Sequence, residues 1–388
     1  MTVSGPERRP RGANPDAGEA AAHETAILTI DLNALAANYR RLRGLAGTAE
    51  CAAVVKADAY GIGMAEAAPV LWRAGCKIFF VATLAEAKAL RSLLPEAVIY
   101  VFSGLLPGTA AMFHTHDLRP VLNSAEEIKE WATYSASLGE KLPCAVHVDS
   151  GMNRLGLSAH EVEAVASASD LWTAMTLSLV MSHLACADDP THPKSEAQLQ
   201  AFERLRALLP DSIASLANSA GILLGRSYAY DLVRPGIALY GGHPRRQGSN
   251  PFQPVVHLAG RILQVRTVAP EETVGYGATR TFKRASRVAT VAVGYADGFF
   301  RALSTKDGAE GLVVSIGGHA APVLGRVSMD LISVDVTGVP EALSQRGAWV
   351  ELIGPNVTAQ EFAARAGTID YEVLTNLGRR ALRRYIGG

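Results

Sequence analysis

Ala52-Ala53-Val54-Val55-Lys56-Ala57-Asp58-Ala59-Tyr60-Gly61-Ile62-Gly63 is a short apolar run that ends on a lysine and a turn punctuated by two glycines. A run of this length with no polar alternation reads as a parallel strand buried on both faces. A lysine at the mouth of such a strand suits an amine that must lose its proton. Desolvation lowers a lysine pKa, and a neutral amine can bond to an aldehyde carbon. On this segment alone the plainer reading is a strand-end lysine whose packed stem carries its head to water, and it takes further segments to overturn it.

Working outward, similar runs recur at 78–82, 98–102, 119–122, 145–148, 176–181, 213–216 and 231–233. Between them, Thr83 with Glu86, Ser124 with Glu127, and Ser158 with Glu161 have the spacing of helix-starting capping boxes. Residues 193–209 place Leu199, Phe202, Leu205 and Leu209 on one helical stripe. Eight strands with intervening helices predict an α/β fold with an N-terminal (β/α)8 TIM barrel, although a doubly wound sheet fits the same pattern. From about Val255 the chain changes to alternating strands and glycine-rich turns, with helical character only near 358–366 and 371–384. The expected parts are an extension at residues 1–24, a barrel at 25–254 and a mostly β domain at 255–388.

Composition excludes several classes of function. Lys+Arg and Asp+Glu both number 37 in 388 residues, so no net field steers the chain to nucleic acid or membrane. Arg379, Arg380, Arg383 and Arg384 form too short a basic run to change that, and read as a solvated helix face. Cys51, Cys76, Cys144 and Cys186 are widely spaced, without metal-ligand clustering, as expected of reduced thiols in a cytoplasmic protein. No apolar stretch reaches the length of a membrane span, and the N-terminus has no signal-peptide core. Residues 1–24 carry almost no large apolar side chain and are expected outside the fold.

In a barrel of this kind the C-terminal ends of the strands build the active site. Polar residues gather at those ends: Asp149-Ser-Gly-Met-Asn-Arg-Leu-Gly after the fifth, His183 after the sixth, Asn218-Ser219 after the seventh, and Arg234-Pro-Gly-Ile after the eighth. Singly, each has an ordinary structural reading as a core histidine, a loop ion pair or a helix cap. Their coincidence with Lys56 at the first strand points to one site.

With Val54-Val-Lys-Ala-Asp-Ala-Tyr-Gly, these segments resemble the alanine racemase family. The second domain matches through Gly275-Tyr-Gly-Ala-Thr, Val293-Gly-Tyr-Ala-Asp-Gly and Gly325-Arg-Val-Ser-Met-Asp, in the expected order. The resemblance implies a pyridoxal 5'-phosphate enzyme that interconverts L- and D-alanine as a homodimer, for peptidoglycan supply or alanine catabolism. It implies two bases on opposite faces of the α-carbon: Lys56, which also links to the cofactor, and Tyr276 from the partner subunit. It further implies that Tyr60, Ser219, Gly236 and Ile237 hold the phosphate, that Asn218 belongs to the cofactor-binding set, and that Arg234, with His183 nearby, faces the ring nitrogen. A guanidinium cannot hand that nitrogen a full proton, so the ring is a weaker electron sink and transamination is suppressed. Arg154, Met329 and Tyr295 are implied at the substrate.

The match departs in places. Some members carry a carbamylated lysine seven residues before the arginine equivalent to Arg154; here that position is His147. A tyrosine that often contacts the phosphate falls near Arg379, which leaves racemisation of larger amino acids such as serine an open possibility. A decarboxylase of the same architecture and a non-catalytic pyridoxal-phosphate protein compete with a racemase. The segment around Tyr276 argues against the decarboxylase, and the β domain against the non-catalytic protein.

Overall fold

Residues 23–388 are described by the structure, a computed structural model. Of the expected extension, all but His23 and Glu24 lie outside the described residues.

The barrel forms from strands too short and too apolar to be stable singly. Ile78–Val81 is buried at all four positions, which is what a strand covered by helices outside and by side chains inside requires. Parallel pairing runs in chain order from Ala53–Val54 through Ile78–Val81, Val98–Val101, Arg119–Leu122, Leu142–His147 and Met175–Met181 to Ile213–Ser215. The eighth strand, Leu232–Val233, closes the ring. It pairs in parallel with Glu50–Cys51, Ala52 N–H donates to Val233 O (3.0 Å), and Arg234 N–H donates to Ala217 O (2.9 Å). The eight expected strands are therefore present and closed, and the doubly wound sheet is ruled out.

Helix starts follow the capping chemistry with one variation. Thr83 with Glu86 and Ser158 with Glu161 form reciprocal boxes at Leu84–Leu93 and Ala159–Ala166. Ser124 caps Ala125–Leu138, but the Glu127 carboxylate turns away to accept from Asn123 N–H and Leu105 N–H.

The second domain is an antiparallel barrel built around the long strand Val256–Val268. Its first half pairs with Trp349–Ile353 and its second with Ser286–Val291, and irregularities in register at both contacts let one strand serve two directions. Two chain-terminal strands complete this sheet. Ala26–Asp31 pairs antiparallel with Val256–Val268 and parallel with Leu382–Ile386, so the chain enters through the second sheet before it begins the barrel.

The expected helix at 371–384 is thus shorter: the helix is Asp370–Thr375, and the chain ends as a strand. The basic run is not a solvated helix face either. Arg380 forms ion pairs with Asp297 and Asp330, Arg383 donates to Gly61 O (2.7 Å), and Arg384 donates to Thr29 Oγ1 (2.9 Å). Four nearby arginines on a helix would repel one another, whereas here three are drawn apart to separate acceptors.

The helix Leu32–Ala46, which follows the strand Ala26–Asp31, is fastened to the turn after the eighth strand by one buried amide. Asn38 Nδ2 donates to Leu239 O (3.1 Å) and Gln253 O (2.9 Å), and its Oδ1 accepts from Gln253 N–H (2.8 Å). Asn38→Ala strands these backbone groups, and the expected loss is about 3 kcal/mol in a urea titration.

Candidate active site

Four non-glycine residues in a row, Ala57 to Tyr60, have φ between 53° and 54° directly after Lys56. The left-handed conformation costs roughly 1–2 kcal/mol per L-residue, so this turn holds about 4–8 kcal/mol of backbone strain. Its surroundings impose it. Ala57 N–H donates to Glu86 Oε1 (2.7 Å), Met64 N–H donates to Asp58 Oδ1 (2.8 Å), and Tyr385 Oη donates to Ile62 O (2.8 Å). Gly61 ends the turn at φ 85°, where a Cβ would lie 2.4 Å from Leu374 O, so no side chain fits. Strain of this kind persists where neighbours over-determine it.

The turn aims Lys56 into a cavity of about 760 Å³ at the C-terminal mouth of the barrel. Lys56, Tyr60, Arg154, His183, Asn218, Ser219, Arg234, Gly236 and Ile237 all line it. Burial lowers the Lys56 pKa, the Arg154 charge lowers it further, and the Glu86 carboxylate opposes both. Lys56 Nζ lies 5.8 Å from the Phe102 ring centroid.

Arg234 is 2% exposed and fixed by two acceptors, Ser215 Oγ and Ser182 O. Burial brings its pKa down to about 9, which leaves the guanidinium charged at neutral pH. Beside it, burial and the Arg234 charge push the His183 pKa well down, so that ring is neutral. Ser219 Oγ accepts from Gly236 N–H (2.9 Å) and Ala238 N–H (3.3 Å), which organises the turn Ile237–Tyr240. Gly236 is required there, since a Cβ would sit 2.2 Å from Tyr60 Oη. The Tyr60 ring is itself stacked on Tyr240 at 4.6 Å.

His147 also lines the cavity, and its tautomer follows from its partner. Asn123 Nδ2 donates to Phe102 O (3.2 Å) and Val121 O (2.8 Å), so Asn123 Oδ1 is the atom facing His147 Nδ1 at 2.9 Å. Nδ1 therefore carries the proton and Nε2 keeps its lone pair. Burial, with Arg234 next, lowers the His147 pKa to about 4.

Tyr276, Tyr295 and Met329 do not line this cavity. They stand on the second domain with exposures of 71%, 42% and 53%. The loops of Tyr295 and Met329 are paired, since Tyr295 N–H donates to Ser328 O (3.0 Å) and Ala296 N–H to Met329 O (3.0 Å). Arg380 braces them: Nε donates to Asp297 Oδ1 (2.8 Å) and Nη1 to Asp330 Oδ1 (2.6 Å).

Sequence reasoning missed what closes the cavity. Ile369, Tyr371, Glu372 and Thr375, from the Asp370–Thr375 helix and the residue before it, form one wall, and Tyr371 lies 6.1 Å from Tyr60 ring to ring. Arg379 is not part of it; its exposed guanidinium lies 3.8 Å from Asp58. The available signal was Tyr371 in an otherwise amphipathic stretch, which is too common to mark a site.

Comparison with known proteins agrees with this geometry. Residues 30–244 match the alanine racemase N-terminal domain and residues 255–385 the alanine racemase C-terminal domain. An alanine racemase of Methylobacterium sp. strain 4-46 is 52% identical over 361 residues, 93% of this chain and 98% of the relative. A catabolic alanine racemase of Mesorhizobium japonicum is 47% identical, over 94% of each chain. The crystal structure of alanine racemase from Bartonella henselae with covalently bound pyridoxal phosphate superposes with a TM-score of 0.89 at 40% identity, covering 94% of this chain and all of the other.

Neutral His147 makes a prediction about acid stability. An unfolded histidine titrates near 6.5 and the folded one near 4, so between these values the unfolded chain binds more protons. The stability carried by the neutral ring is complete above pH 6.5 and lost as pH falls towards 4, by about 3 kcal/mol. Melting temperatures across that window should fall less steeply for His147→Gln than for wild type, with His183 keeping part of the slope.

Proposed function

The chain belongs to the alanine racemase family of pyridoxal-phosphate-dependent racemases, and from that membership we propose how its own side chains bind the cofactor and move the substrate proton. The observation that carries the reading is the convergence of Lys56, Arg154, Arg234 and the Ser219–Gly236–Ile237 turn on one cavity.

The residues present suit pyridoxal phosphate. Tyr60, Asn218, Ser219 and the backbone of Gly236 and Ile237 would hold the phosphate at the barrel mouth, the usual place for phosphate in this fold. Arg234, with neutral His183 beside it, would face the ring nitrogen, and Arg154 would reach the cofactor phenolate and the substrate carboxylate. Lys56 would carry the covalent link. When bound, the cofactor supplies an electron-withdrawing ring that acidifies the α-hydrogen of alanine.

The proton work belongs to the protein. With its pKa lowered by burial, the Lys56 amine is suited to take the α-proton of D-alanine and to return one on the same face. A base on the opposite face must complete racemisation. From family membership, Tyr276 of the partner subunit is assigned that role in a homodimer. The exposure of Tyr276, Tyr295 and Met329 on the second domain supports this reading, as does exposed apolar surface at Leu155 and Ile369 on the cavity rim. Met329 and Tyr295 of the partner subunit would then border the substrate.

In this reading residues 25–254 carry the cofactor-binding groups, while residues 255–388 wall the same cavity through Ile369, Tyr371, Glu372 and Thr375 and offer Tyr276, Tyr295 and Met329 to the neighbouring subunit. A cytoplasmic location is consistent with four free cysteines, three of them buried. Among the described residues no helix is long and apolar enough to cross a membrane.

Two experiments test the proposal. Chiral separation after incubation with either enantiomer of alanine should show approach to an equal mixture, and Lys56→Ala should abolish it. Mixing inactive Lys56→Ala with Tyr276→Phe under subunit exchange should restore activity, to roughly a quarter of wild type when exchange is random. A mixture with no gain over its components would refute the shared site.

A further inference from the structure

Glu86 is a half-buried carboxylate with more work than its position requires. As a helix cap it needs only the Thr83 N–H, which donates to Oε2 at 3.2 Å. The same oxygen also accepts from Ala82 N–H at 2.8 Å, and Oε1 accepts from Ala57 N–H at 2.7 Å. Three backbone donors from two barrel strand ends therefore converge on one side chain. Ala57 is the residue directly after Lys56 and the first of the four left-handed residues.

That geometry separates Glu86 from Glu161, which forms the same capping box on the helix Ala159–Ala166. Glu161 Oε2 takes the N–H and Oγ of its own Ser158 and, among the described residues, reaches no other strand end. The further Glu86 bond is made to the segment under strain. Unfastened, Ala57 would relax towards right-handed backbone, and the Lys56 side chain would turn with it.

We propose that Glu86 is a positioning residue for the reaction: by holding the Ala57 N–H it fixes the left-handed turn that aims the Lys56 amine into the cavity. It touches neither substrate nor cofactor in this assignment. The electrostatics run the same way, because the Glu86 charge opposes part of the lowering that burial imposes on Lys56. Burial thus favours a reactive neutral amine, while the carboxylate keeps that amine basic enough to accept a proton. The inference rests on the reading of Lys56 given above.

The test compares wild type, Glu86→Ala, Glu86→Gln and the capping control Glu161→Ala. An amide offers one acceptor oxygen where three donors converge, so Glu86→Gln also weakens the hold on Ala57. Pyridoxal phosphate is added to protein stripped of it, and the visible absorbance of the lysine-linked form is followed in time. The neutral amine adds to the aldehyde carbon and water leaves, so the rate reports both the aim and the protonation of Lys56.

The expectation is link formation at least tenfold slower in Glu86→Ala, with kcat lowered similarly and the KM for alanine within about threefold. Glu161→Ala should melt lower yet link and turn over like wild type. If Glu86→Ala only melts lower, as Glu161→Ala does, the carboxylate is a helix cap and the inference is overturned. Should Glu86→Ala fail to fold, Glu86→Gln is read against the same two outcomes. A wild-type protein that formed no link would remove the Lys56 assignment, a failure distinct from that of Glu86.

Discussion

The left-handed turn from Ala57 to Tyr60 is the constraint on which the site depends. Its strain is comparable with the whole stability of many domains, so it must be held from several sides. Glu86 holds its start from the next strand end. The C-terminal segment holds its finish, through Arg383 on Gly61 O and Tyr385 on Ile62 O. The last strand of the chain is therefore part of the machinery that orients the first strand's lysine. That connection explains why Leu382–Ile386 lies against Ala26–Asp31, immediately before the helix that leads into the barrel.

Charge in the cavity follows a consistent rule. Among the described residues, two guanidinium groups, Arg154 and Arg234, face it with the Lys56 amine against the one carboxylate of Glu372, and two histidines that burial keeps neutral accompany them. A neutral imidazole beside a buried guanidinium adds polarity without adding repulsion. The net field favours an anionic occupant with a charge at each end, which describes a phosphate ester and a substrate carboxylate. At Arg234 the two fixed acceptors, Ser215 and Ser182, orient the guanidinium without neutralising it. That distinction matters chemically: a carboxylate partner would convert the same position into a neutral ion pair.

Much of this was legible in the sequence, and what was not shares one property. The eight barrel strands announce themselves because burial on both faces leaves continuous apolar runs, and the residues at their ends were recognisable as a set. Ala26–Asp31 and Leu382–Ile386 were not, since each is defined by pairing with strands hundreds of residues away. Arg379, Arg380, Arg383 and Arg384 looked like one helical face because their acceptors, Asp58, Asp297, Gly61 O and Thr29, all lie in other parts of the chain, three of them more than 300 residues away. Local pattern records local energetics only.

The same limit applies within the site, where sequence identifies a residue's first role and hides its second. Thr83 with Glu86 reads as a capping box, and it is one. Nothing in that spacing tells that the carboxylate also reaches Ala57, because Ala-Asp-Ala-Tyr carries no sequence mark of a left-handed backbone. Asn123 behaves alike: it ends a strand, yet its amide selects the tautomer of His147 on the next one. In a closed barrel adjacent strand ends are neighbours in space while separated by a helix in sequence. Side chains that bridge them are where the fold and the chemistry meet, and only the assembled ring brings them together.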